Sequence, residues 1–148
     1  MCKRTAWPDT AVLMAAVAVA SLLSCQHQTP EQELLQKVEP MGSWLAALQM
    51  TGEKWTANSV PAAFVRTTAE AARGPFEQAA RDAAESKARP AVRDPLRKLI
   101  SDGEAESDRL RRSAAAEDRG AAAPVIRRLA ALRASFAALK AACEKESP

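Results

Sequence analysis

"PVIRRLAALRASFAALKAAC", residues 124–143, carries the clearest pattern in the chain. Val125, Leu129, Leu132, Phe136, Leu139 and Cys143 recur at steps of 4, 3, 4, 3 and 4. That spacing runs an apolar seam along one side of a helix, as in helices packed at shallow angles. Strands need strict alternation, which no useful length of this sequence provides. Alanine and arginine are abundant, there is no tyrosine, and aromatics make up 4%. Seam and composition together predict an all-α fold.

The same period extends toward the N-terminus. Leu34, Val38, Met41, Leu45, Leu48, Gly52 and Trp55 step by 4, 3, 4, 3, 4 and 3, in phase straight through Pro40 and Gly42. This predicts one kinked helix over 30–57, opened by a capping box of Thr29 and Gln32 with Pro30 in its first turn. A second helix is expected over 60–88, capped by Ser59, with Val65, Thr68, Ala72, Phe76, Ala79 and Ala83 inward and a kink or break at Gly74-Pro75. A third is expected over 94–118, with Asp94 as cap and Pro95 at its first position. Its inward residues are Leu96, Leu99, Ile100, Gly103, Leu110 and Ala114, and the polar stretch 101–108 is a candidate break. The fourth spans 122–145, opened by Pro124. Connections this short force neighbours antiparallel, so 30–146 reads as an up-down-up-down four-helix bundle.

Before residue 30 the pattern changes. Lys3 and Arg4 precede a run of thirteen residues, Ala11–Leu23, that is apolar apart from Ser21. A membrane span needs about 20 residues, so this run suits a secretory signal peptide. Leu22-Leu23-Ser24-Cys25 resembles the lipobox of bacterial lipoproteins: an aliphatic residue, a tolerant position, a small residue, then cysteine. The resemblance covers residues 1–25 and implies removal of 1–24 and acylation of Cys25, which anchors the chain in a bilayer through a polar tether, 25–29. It implies a place in the bacterial cell envelope. Gln26, where an inner-membrane protein of enteric type would carry aspartate, points to the outer membrane facing the periplasm. With its anchor and helices the chain also looks similar to the small pilotin lipoproteins that escort secretion-pore subunits, an analogy of architecture alone.

Removing 1–24 leaves 124 of 148 residues, enough for one small domain. Taking away Lys3, Arg4 and Asp9 lowers the net charge from +3 to +2, too little to argue for nucleic acid. Cys143 is then the one thiol after lipidation, either buried or able to pair between molecules.

Candidate chemistry is sparse. The one histidine, His27, sits in the tether, and the inward positions named above carry no acid. A di-iron bundle needs inward Glu with Glu-x-x-His pairs, covalent haem needs Cys-x-x-Cys-His, and a hydrolase triad needs an oriented histidine. None is written here, so neither an enzyme nor a cofactor is expected. Glu104, Glu106 and Asp108 read as members of surface ion pairs with nearby arginines. Arg111 and Arg112 on the third helix, and Arg127 and Arg128 on the fourth, are a candidate partner surface for acidic groups. Trp44 joins them if exposed, as a binding anchor. The expectation is a non-catalytic bundle that binds or positions another envelope component. The alternative is a carrier of a small apolar ligand between the helices. An open groove favours the first and an enclosed cavity the second.

Overall fold

The structure, a computed structural model, describes residues 28–145; the expected signal peptide over 1–24, Cys25 and His27 lie outside the described residues. Helices take up 87% of the described residues, and no strand occurs among them. They are α1 (Pro30–Lys37), α2 (Glu39–Thr56), α3 (Ala62–Glu85), α4 (Pro90–Ala115) and α5 (Arg119–Lys145). The all-α class is as the seams predict.

α1 and α2 are the helix expected over 30–57, interrupted at Val38 alone. Thr29 and Gln32 form the capping box: the Gln32 N–H donates to Thr29 Oγ1 at 3.3 Å and the Thr29 N–H to Gln32 Oε1 at 3.1 Å. The kink falls two residues before Pro40, because a proline there has no N–H for the Gln36 carbonyl and its ring crowds that oxygen. Val38 takes φ −90° and ψ 2°, yet its side chain is fully buried, so the bend is pinned in the core. Leu34, Met41, Leu45, Leu48, Gly52 and Trp55 are buried with it. α2 ends in a Schellman motif: Asn58 adopts φ 59°, Ser59 N–H donates to Lys54 O at 2.7 Å and Asn58 N–H to Trp55 O at 3.0 Å. Ser59 thus closes α2 and does not cap α3, whose N-cap is Pro61.

α3 runs through Gly74-Pro75 without a break. A residue before proline is pushed out of helical conformation by its own Cβ, and glycine has none. Gly74 is exposed, with open space around it. The pair costs one hydrogen bond while Ala72, Phe76 and Ala79 stay in phase in the core. Thr68 is half-buried and its hydroxyl donates to Phe64 O, so Ala69 takes the inward place assigned to it.

α4 begins at Pro90, four residues before the expected start, with Pro95 inside it. Asp94 is therefore no cap. The earlier start buries Val92, which the later one would have left outside the helix. The polar stretch 101–108 stays helical, because Gly103 faces a neighbour helix: a Cβ there would lie 2.7 Å from Phe76 Cε1 and 3.2 Å from Leu45 Cδ2. α4 stops at Ala115, short of 118, through a second Schellman motif with Glu117 at φ 54°. Asp118 then caps α5 by accepting the Ala121 N–H at 2.9 Å, which moves that start from 122 to Arg119 and leaves Pro124 inside.

α2 packs on α3, α3 on α4, α4 on α5 and α5 back on α2, a helical bundle around one core. Three pairs join α2 to α5: Glu39 with Lys140, Gln49 with Arg133, and the Trp55 carbonyl with Arg119. On α5, Val125, Ile126, Leu129, Phe136 and Cys143 are buried, while Leu132 and Leu139 flank the core half-exposed.

Candidate functional site

The proposed arginines fall on the end of α4 and the start of α5, two helices that pack together. Arg111 Nε lies 3.4 Å from Asp108 Oδ1, and Arg112 Nη1 lies 3.7 Å from Asp108 Oδ2. Arg127 and Arg128 are exposed. Two residues missing from the proposed set, Glu106 and Arg109, organise this face. Arg109 Nη1 and Arg128 Nη1, the latter at 3.4 Å, both meet Oε1 of Glu106, whose side chain is only 8% exposed. Its other oxygen, Oε2, is buried with no hydrogen-bond partner among the described residues.

Glu106 corrects the expectation of acid-free inward positions. A step of 3 from Gly103 lands on residue 106 and a step of 4 from there lands on Leu110, so the seam's own period pointed at this acid. Ser107 beside it is also buried, its hydroxyl 3.4 Å from Ala69 O. A half-satisfied buried carboxylate opposes stability. What it does supply is orientation: it draws two guanidinium groups to one point between α4 and α5 while most of each stays in water.

Trp44 is half-buried and packs against the core, which does not meet the condition for a binding anchor. Trp55 is 1% exposed, and the Arg119 guanidinium lies 5.7 Å from its ring centroid. That is cation–π distance.

A second group of features surrounds α1. Glu31, close to fully buried, accepts from the Arg89 backbone N–H at 3.1 Å and from Arg89 Nε at 2.9 Å. Arg89 is the N-cap residue of α4, so a carboxylate from a distant helix sits at that helix's positive end. The Arg89 backbone bond first, then the Glu31 amide and the Arg89 guanidinium, hold the Glu31 carboxyl below its ordinary value, against burial. A lowered acid contributes stability that is present above the ordinary carboxylate pKa and lost as pH falls through the depressed one. Glu31→Gln should cost about 1 kcal/mol at pH 7. The gap from wild type should close on acidification; urea melts at several pH values followed by tryptophan fluorescence would measure it.

Two grooves flank α1. One, of about 320 Å³, is lined by charged groups including Glu33, Lys37, Asp82 and Lys87. Glu33 and Lys37 pair at 2.7 Å, which lowers the Glu33 pKa and raises that of Lys37. The other, of about 400 Å³, lies between α1 and the end of α5, with Leu35 and Cys143 among its walls. Both of those side chains are buried, and the Glu39–Lys140 pair stands at the rim.

Among the described residues no three His, Cys, Asp or Glu side chains cluster so as to hold a metal ion. No described helix is long and apolar enough to cross a membrane. Comparison with known proteins found no matching family model, no matching curated protein and no matching solved structure.

Proposed function

We propose that this is a lipid-anchored protein of the bacterial envelope whose helices form an antiparallel up-down-up-down bundle and act on another envelope component through a surface. The antiparallel reading rests on the order of the α2–α5 pairs. Residue number rises along α2 from Glu39 through Gln49 to Trp55 while the partners fall from Lys140 through Arg133 to Arg119. The anchor reading rests on the lipobox-like Leu22–Cys25. With the outer membrane as its site, the bundle would face the periplasm.

One observation carries the functional reading: Glu106 is buried where stability does not ask for an acid, and it gathers Arg109 and Arg128 at one point between α4 and α5. Residues that break a packing rule concentrate at functional sites. In an antiparallel bundle this face lies about 30 Å from the tether, at ~1.5 Å for each of the residues from Pro90 to Arg109. The lipid would hold one end at the bilayer while the arginine face meets a partner bearing acidic groups.

The test is retention from detergent-solubilised envelope on immobilised full-length protein. Wild type should retain a partner at low salt and release it as salt rises, because exposed charges are screened beyond about 10 Å at 0.1 M. The fourfold variant Arg109→Gln, Arg112→Gln, Arg127→Gln, Arg128→Gln should retain none. Equal retention by both proteins, or turnover of a substrate by purified protein, would contradict the reading.

A further inference from the structure

We propose that the outer face of α2 and α3 joins two copies of this chain in a weak dimer. The inference is independent of the anchor and of the arginine face, which belongs to α4 and α5.

Met50 and Phe64, both large and apolar, are 51% and 53% exposed. Apolar residues exposed singly are ordinary, but these two adjoin one surface. On α2 the flank toward α5 is fixed by the pairing of Gln49 with Arg133 and by Gly42 against the Phe136 ring. The opposite flank of α1 and α2 carries Lys37, Pro40, Trp44, Ala47, Thr51 and Lys54, at steps of 3, 4, 3, 4 and 3. On α3, Phe64, Thr68, Ala71, Pro75, Gln78 and Asp82 step by 4, 3, 4, 3 and 4. Lys37 and Asp82 line one groove, so the two rows run side by side from there along the packed pair α2 and α3. Met50 adjoins the first row, three residues after Ala47 and four before Lys54.

Between Lys37 with Asp82 at one end and Lys54 at the other, neither row carries a charge. Charged residues make up 26% of the chain, so this stretch departs from the rest of its surface. Depletion of charge beside exposed aromatic and methionine side chains is the mark of an interface centre.

Shape and charge point to a second copy as the occupant. Phe64 projects near the start of α3, and farther along it Gly74 is exposed with open space around it. They are ten residues apart, about 15 Å along the helix. A two-fold axis midway between them lays α3 of one protomer antiparallel on α3 of its partner. Each Phe64 then comes to rest beside the partner's Gly74. At the crossing Thr67 and Ala71 are exposed and small, so the two helices can approach closely. The same patch supplies knob and recess, which is what a two-fold interface requires. Because the patch is neutral, a second copy meets no like charge there, while an acidic partner would find no cation along it.

The size of the face sets the strength. From Phe64 to Gln78 is about 21 Å, and two packed helices are about 18 Å wide. That gives about 400 Å² on each copy and about 800 Å² in the pair, the low end for a specific interface. Such a dimer forms as concentration rises and separates on dilution.

The test replaces Phe64 with the photoreactive p-benzoylphenylalanine in full-length protein made in bacteria. Irradiation should give a band of twice the chain's mass containing this protein alone. The cross-link should run from residue 64 to the peptide containing Ala71 or to that containing Gly74. Full-length protein in detergent should sediment as one chain when dilute and as two when concentrated. Phe64→Glu and Ala71→Arg, both at exposed positions, should keep the helix content and weaken pairing at least tenfold. A single-chain mass at every concentration overturns the dimer. Cross-links from residue 64 only within its own chain, to lipid or to a different protein overturn it too. Pairing that both substitutions leave unchanged places the contact elsewhere and overturns it equally.

Discussion

Phe76→Ala should lower stability by about 3–5 kcal/mol, the cost of emptying a buried aromatic site that cannot collapse. The Phe76 ring is 1% exposed, and its edge occupies the space where Gly103 lacks a Cβ. Leu45 closes the same site from α2. Three helices therefore meet at one ring, and none can move in to fill its absence without carrying its own seam along. Small domains have about 5–15 kcal/mol in total, so the variant should sit near the edge of folding. Urea denaturation followed by tryptophan fluorescence would measure the loss. Gly103→Ala should lose about 1–3 kcal/mol by overpacking the same site. Joining the two changes should cost less than their sum, because each relieves the strain left by the other. Additive losses would mean that ring and glycine do not share a site.

Glu106→Leu should act in the opposite direction on stability and in the harmful direction on function. The Oε2 atom is buried with no hydrogen-bond partner among the described residues, while Arg109 and Arg128 are 47% and 59% exposed and regain water when the acid is gone. Replacing a half-satisfied buried acid whose partners are half in water with an apolar side chain should raise stability by about 1–2 kcal/mol. The same change releases both guanidinium groups from their common point, so retention of an acidic partner should fall sharply. A variant that melts higher and binds less would mark Glu106 as kept for the surface. A variant that melts lower by more than about 1 kcal/mol would make it an ordinary structural ion pair.

Much of the fold was legible because apolar period survives local disruption. The seam from Leu34 to Trp55 located α1 and α2 through a proline and a glycine, and the seam from Val125 to Cys143 located α5. The errors came from proline and from one assumption about the core. Pro95 and Pro124 read as first-turn residues in the sequence, but each stands at the sixth position of its helix, where it removes one internal bond. That loss was outweighed by burying Val92 at the start of α4, and for α5 by the Asp118 cap. The stop of α2 at Thr56 lies within one residue of the expected 57, whereas the stop of α4 before Glu117 was not legible, because a left-handed residue is expected to be glycine or asparagine and Glu117 is neither. The candidate surface was half legible. Arginine clusters stand out in a sequence, but the acid that aims them occupies a seam position, and a list of apolar inward residues steps over it. The groove beside α1 was invisible, since it depends on where the end of α5 meets a helix more than a hundred residues earlier.

The most direct measurement is the intact mass of the membrane-bound protein together with the mass of its N-terminal peptide. A chain that begins at Cys25, carries a diacylglyceryl thioether and an acylated amine there, and persists as an unprocessed, unlabelled precursor in Cys25→Ser is the expected result. A membrane-bound protein with an unmodified Cys25, or a Cys25→Ser variant that is processed and partitions as before, would contradict it.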